Sequence, residues 1–156
     1  LKTLNVKKGQ ILQHKGELNT KVYKVQSGML RSYSIDNKGK EHIYTFAPEN
    51  WIVADNCEIT TPCELFIDAL ENSVILISEK EETIPNADTK LLIKRISTLQ
   101  TRITMLMSSS AIERYEHFLV TYPEIIQRVP QRMIASYLGI TPEALSRVRK
   151  EITLRK

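Results

Sequence analysis

Near the C-terminal end, Glu143, Ser146, Arg147 and Lys150 follow i, i+3, i+4, i+7 spacing, so a helix through them gathers all four on one face, opposite Leu145 and Val148. A carboxylate and a guanidinium side by side suit the reading of base edges. Glu143 can accept from a cytosine amino group and Arg147 can donate two hydrogen bonds to guanine, with Ser146 between them. Arg132, Thr141, Arg149 and Lys150 are better placed for phosphates, where contacts set register and affinity without reading sequence.

Such a face works only if the helix is held at a fixed angle, and Gln131 to Lys150 meets each constraint of a helix-turn-helix. Ala135 is small where two helices cross closely. Gly139 can take the left-handed geometry of a short turn. Ile134, Leu138, Ile140, Leu145 and Val148 form an apolar wedge. Thr141 is a natural N-cap, Pro142 suits the first helical position, and Glu143 complements the positive end of the helix dipole. The expected partner is double-stranded DNA, its major groove entered by the second helix.

Upstream, Leu92, Ile96, Leu99, Ile103 and Leu106 recur at heptad spacing, which predicts a seam for pairing two copies of the chain as a homodimer. Leu91, Ile93, Met105 and Met107 supply a second apolar surface on the same helix, expected to cover the N-terminal half while the seam faces a partner. Ser108-Ser109-Ser110 interrupts the helix and places a domain boundary nearby. Before Pro85, where the pattern changes, the chain reads as short strands: Gln10 to His14, Val22 to Gln26, Met29 to Ile35, His42 to Phe46, Leu65 to Ala69 and Val74 to Ser78. Asp36-Asn37-Lys38-Gly39-Lys40 is a hairpin signal. The expected fold class is α+β: an antiparallel β-roll resembling a jelly roll over residues 1–88, a long dimerisation helix and linker over 89–110, and a helix-turn-helix domain over 111–156.

Charge is segregated. Residues 1–47 carry nine basic and three acidic side chains, 48–88 one basic and ten acidic, and 128–156 seven basic and two acidic, so the C-terminal end is the part suited to a polyanion. The longest stretches without a charged residue are ten residues, Ile103–Ile112 and Met133–Pro142, where a membrane span needs roughly 20 apolar residues. The N-terminus lacks an apolar signal core, and a cytoplasmic location is expected. Cys57 and Cys63 have neither the number nor the spacing of a disulfide framework or zinc motif and are expected to be buried free thiols. His14, His42 and His117 lie too far apart in sequence for metal-type spacing, which argues against a cupin-type metalloenzyme. No catalytic residue, metal or cofactor is expected.

A glycine-punctuated β-roll, a long helix and a C-terminal helix-turn-helix together resemble the Crp/Fnr family of bacterial transcription regulators. Lys8-Gly9-Gln10 and Gly16-Glu17 resemble its first β-roll turns, Ser27-Gly28-Met29-Leu30-Arg31 its central glycine turn, and Ala69-Leu70-Glu71-Asn72-Ser73 the strand exit near its pocket. Ser110-Ala111-Ile112-Glu113-Arg114-Tyr115 with Tyr122-Pro123 is similar to the helix leading into the DNA-binding domain, and Leu138 to Arg147 to the recognition unit. The resemblance implies base-reading roles for Glu143 and Arg147, a palindromic operator with half-sites about one DNA turn apart, and RNA polymerase as a further partner.

The family's cyclic-nucleotide cassette pairs a Gly-Glu element with an Arg that meets the cyclic phosphate. Here the matching region runs from Trp51 to Phe66 without that Arg, and from Pro48 to Ser73 there are six carboxylates and no Lys or Arg, so cyclic AMP binding in the familiar manner is not expected. Two cysteines cannot supply the roughly four ligands of an iron–sulfur cluster. Tyr44, Trp51, Cys63 and Phe66 are candidate pocket residues for another effector, or plain core. Only six residues follow Lys150, too few for the β-hairpin wing of many relatives, so fewer phosphate contacts are expected. The reading is a homodimeric, sequence-specific regulator; the alternative is a ligand-binding or protein-interaction module with a vestigial helix-turn-helix.

Overall fold

The computed structural model describes residues 2–80 and 89–155; the change of pattern expected after Pro85 and the end of the 1–88 domain fall outside these. The chain divides into two compact units, Leu1–Asn86 and Ala87–Lys156.

The first unit is built from β1 (Lys2–Val6), β2 (Ile11–Gln13), β3 (Lys21–Ser27), β4 (Leu30–Ile35), β5 (Glu41–Ala47), β6 (Ile52–Val53), β7 (Phe66–Ala69) and β8 (Ser73–Glu79). They form two four-stranded antiparallel sheets, in the orders β1-β8-β3-β6 and β2-β7-β4-β5. Val6, Tyr23, Val25 and Ile75 from one sheet and Leu30, Ala47, Ile67 and Ala69 from the other share one buried cluster, with Trp51 packed against it. Removing this apolar surface from water is the main force holding the sheets together.

Six of these strands match the alternating runs of the sequence to within about two residues, the ordinary disagreement at element ends. β1 and β6 are additional. In β1 only Val6 is buried, and its pattern is polar because the strand lies at a sheet edge; the register with β8, Lys2↔Ile77 to Val6↔Ser73, defines it. β6 is two residues opposite Tyr23 and Lys24, too short for any period.

The expected hairpin joins β4 to β5. Gly39 has φ +76°, and the Asp36 carboxylate accepts from the Lys38 and Lys40 amides while its other oxygen meets His42 Nε2 at 2.8 Å. Together these contacts, His42 first, lower the Asp36 pKa to about 2. Gly28 has φ +87°, and a Cβ there would lie 2.3 Å from Ser73 Oγ and 2.7 Å from the Asn72 carbonyl, so the turn accepts no side chain.

The second unit holds α1 (Thr89–Ser108), α2 (Ala111–Thr121), α3 (Gln131–Tyr137) and α4 (Pro142–Leu154). α1 ends within the serine run, and Ser110 starts α2 through a capping box with Glu113. No helix among the described residues is long and apolar enough to cross a membrane.

Candidate nucleic-acid interface

α3 and α4 are the two helices of the helix-turn-helix, and the turn between them is fixed by the residues the sequence singles out. Gly139 has φ +67°, and the Ile140 amide donates to the Ala135 carbonyl at 3.0 Å. Thr141 has extended geometry and its hydroxyl accepts from the Ala144 amide at 3.2 Å, starting α4 with Pro142 at its first position. A cap of this kind contributes about 1 kcal/mol. Ile134, Ala135, Leu138, Leu145 and Val148 are all buried, and Ile140 is half-buried.

With Leu145 and Val148 turned inward, Glu143, Ser146, Arg147 and Lys150 are all exposed. The Glu143 carboxyl is held below its ordinary pKa by its own backbone amide, then by Thr141 and Arg147, which keeps it an ionised acceptor folded back on the helix start. Arg132 is exposed on the first turn of α3. Arg149 and Lys150 line a groove of about 300 Å³ with Tyr115 and Leu119 of α2, which places both on the side of α4 that borders α2.

Two arginines whose roles no local sequence pattern signals anchor this assembly. Arg114 of α2 donates to the Leu106 carbonyl at 2.8 Å, to Ser109 at 3.0 Å and to Leu138 at 3.1 Å, so one guanidinium satisfies carbonyls at the ends of α1 and α3. Arg102 of α1 donates to the Tyr137 carbonyl at 3.2 Å with its guanidinium 4.0 Å from the Tyr137 ring centre. Phe118 and Tyr122 complete an aromatic cluster with Tyr137, whose phenol is pushed well above its ordinary pKa, chiefly by burial.

Along the seam Leu92, Ile96 and Ile103 are 51–57% exposed, while Leu99 and Leu106 are half-buried. Leu106 approaches Gly139 closely enough that a Cβ there would lie 3.3 Å from its Cδ2, so it also packs on the turn of its own chain. The second apolar set does not stay together. Met105 is buried, Ile93 and Met107 are exposed, and the Leu91 side chain lies outside the described residues.

In the first unit two of the effector candidates, Cys63 and Phe66, both touch His14. Phe66 stacks on Tyr33 with 5.3 Å between ring centres, and His14 meets its edge. Trp51 packs on the core cluster, Tyr44 is half-buried on β5, and Cys63 is buried with its thiol donating to the His14 carbonyl at 2.9 Å. Both cysteines are free, but Cys57 is only half-buried, because it stands in the loop between β6 and β7.

A buried cation of this unit is Arg31 on β4, 6% exposed. Its Nε and Nη2 reach the two Asp68 oxygens at 2.8 and 2.9 Å, and Nη1 reaches Glu41. A phosphate would have to displace those carboxylates, so Arg31 does not replace the absent cassette Arg.

Residues 3–84 match the family model of the cyclic nucleotide-binding domain. Over 167 residues the chain is 25% identical to the transcriptional activator protein FnrA of Stutzerimonas stutzeri, covering 92% of this chain and 67% of that one. The chain spans about two thirds of the length of such curated relatives, 63–68% for three of them. Among solved structures, FixK2 from Bradyrhizobium japonicum superposes with a TM-score of 0.78 at 19% identity, covering 99% of this chain and 85% of that one. A CRP/FNR-family transcriptional regulator from Thermus thermophilus gives 0.77 at 16% identity, covering 99% and 87%. A domain match over more than half of the sequence, with regulators alike along nearly all of it, means that the chain belongs to the Crp/Fnr family of transcription regulators.

Proposed function

We propose that two copies of this chain pair through the Leu92–Leu106 seam of α1 and bind a two-fold symmetric site on double-stranded DNA, one α4 in each of two successive major grooves. Glu143, Ser146 and Arg147 read base edges; Arg132, Thr141, Arg149 and Lys150 meet phosphates. The observation that carries this reading is the exposure of Glu143, Ser146, Arg147 and Lys150 on a helix whose opposite side is rooted by Leu145 and Val148 and whose start is capped by Thr141. Groups that read a groove must be exposed, preorganised and backed by a rigid scaffold.

An effector, where the regulator uses one, is something other than cyclic AMP held in the familiar way, since Arg31 is already committed to Asp68 and Glu41. RNA polymerase is the partner such a protein meets as an activator. Selection of bound sequences from a random duplex pool at physiological salt, with and without cell extract, tests the reading. The expected result is an enriched palindrome; uniform, salt-sensitive binding to all sequences would overturn it.

A further inference from the structure

Within the helical unit, α1 and the aromatic cluster of α2 and α3 enclose a cavity of about 200 Å³. Sites for drug-sized molecules run to roughly 300–1,000 Å³, so this one has room for a single ring. Thr98, Thr101, Arg102 and Met105 form the α1 wall, at i, i+3, i+4, i+7 spacing, and Phe118, Tyr122 and Tyr137 face them. That spacing puts the α1 wall on a different face from the Leu92–Leu106 seam, so the proposed pairing of two chains does not use these residues.

The wall combines a fixed positive charge with aromatic rings. Arg102 is held over the Tyr137 ring at 4.0 Å and on the Tyr137 carbonyl at 3.2 Å, and neither contact neutralises its charge. Arg95 is a second cation whose charge is felt at the Tyr137 phenol. Among the described residues no Asp or Glu lines the cavity. The Phe118 and Tyr122 ring centres stand 5.5 and 6.1 Å from that of Tyr137, the spacing at which one more ring adds edge or offset contacts. Thr98 and Thr101 spend their hydroxyl protons on the Lys94 and Ser97 carbonyls, leaving oxygen lone pairs on the α1 wall. Lone pairs oppose a second negative group, so the wall suits one carboxylate on a flat apolar body rather than a phosphate dianion.

We propose that this cavity is a binding site for a single-ring aromatic carboxylate, with the ring among Phe118, Tyr122 and Tyr137 and the carboxylate against Arg102. The site belongs to the helical unit, not to the β-roll that holds the effector candidates Tyr44, Trp51, Cys63 and Phe66. An occupant touches both α1 and the end of α3, and so ties the long helix to the first helix of the helix-turn-helix. The site stands on its own geometry whether or not α4 reads DNA, and the test is made without DNA.

Benzoate is titrated into the full chain and followed by amide NMR, with benzamide as the uncharged isostere. Benzoate should shift the Thr98, Phe118 and Tyr137 amides saturably and together, and benzamide should bind at least about tenfold more weakly. Arg102→Met should bring benzoate down to the level of benzamide. Equal binding of the two compounds, saturable shifts centred on β1–β8 instead, or no saturation by about 10 mM overturns the assignment. If Arg102→Met does not fold, Thr98→Phe decides: a ring at this half-buried wall position fills the cavity and should abolish the benzoate shift at Tyr137, and undiminished binding overturns the proposal.

Discussion

The Arg114 guanidinium and the Leu138 carbonyl meet at 3.1 Å across 24 residues of sequence, and the same guanidinium holds Leu106 and Ser109. The end of α1, the start of α2 and the end of α3 are therefore fixed to one rigid planar group, which sets the angle at which the helix-turn-helix leaves the long helix. Lysine cannot copy this, because a single ammonium on a flexible stem lacks the fork of donors.

Arg114→Met should therefore lower the stability of the second unit by about 2–3 kcal/mol, the value of charged hydrogen bonds to carbonyls that are left unsatisfied. Arg114→Lys should recover less than half of it. Amide hydrogen exchange in denaturant, followed by peptide mass spectrometry, reads each unit through its own peptides; an equal loss in both would show that Arg114 acts otherwise.

The Arg31–Asp68 pair makes a different prediction. Both side chains are at most 10% exposed, so removing Asp68 leaves the buried guanidinium to the more exposed Glu41 carboxylate and half of its charge-assisted bonds unmade. Asp68→Asn should cost about 3–5 kcal/mol, whereas replacing both residues, as Arg31→Met with Asp68→Leu, should be far milder because neither charge is then buried. A double-mutant cycle in urea measures this, and additive losses would contradict it.

Local chemistry made the helix-turn-helix legible: Gly139, Thr141, Pro142 and the apolar wedge act within a few residues of one another, and each matches its expected place. The hairpin at Gly39 was readable for the same reason. Arg114, Arg102 and Arg31 are not readable in their roles, because their partners lie 5–37 residues away and an arginine looks alike in sequence whether it caps a helix, pairs with a buried acid or faces solvent. β1 escaped notice because an edge strand with one buried residue carries almost no alternation.

Asp36 supplies a pH prediction. Its carboxyl pKa is lowered from 3.8 to about 2 by His42 and the Lys40 and Lys38 amides, so the folded state binds this proton less readily than the unfolded chain. The stabilisation is present above pH ~4 and is lost as pH falls through about 2. A carbon-detected NMR titration should give an Asp36 midpoint near 2; a midpoint at 3.8 or above would contradict the contacts. Asp36→Asn should remove that part of the acid dependence.

The proposed pairing of the chains through α1 should be breakable without unfolding either unit. Ile96 and Ile103 are each 57% exposed, so charges there cost little in one copy but oppose like charges across a parallel seam. Ile96→Asp with Ile103→Asp should sediment as a monomer and keep the wild-type circular dichroism; a variant that still dimerises would move the interface off this stripe.

The reading face itself is tested by Arg147→Ala. If Arg147 forms a bidentate pair with a guanine, the variant loses about 1–3 kcal/mol at the cognate site and little on random duplex, with discrimination relaxed at one base pair per half-site. Arg132, proposed to meet a phosphate, gives the contrasting variant Arg132→Ala. It should weaken cognate and random DNA alike and reduce the steepness of the salt dependence by about one counterion per copy. Because both residues are exposed, neither change should alter the folded unit, and binding isotherms at several salt concentrations separate the roles. Equal losses on cognate and random DNA for Arg147→Ala would take Arg147 off the base edges and leave Glu143 and Ser146 to carry sequence recognition.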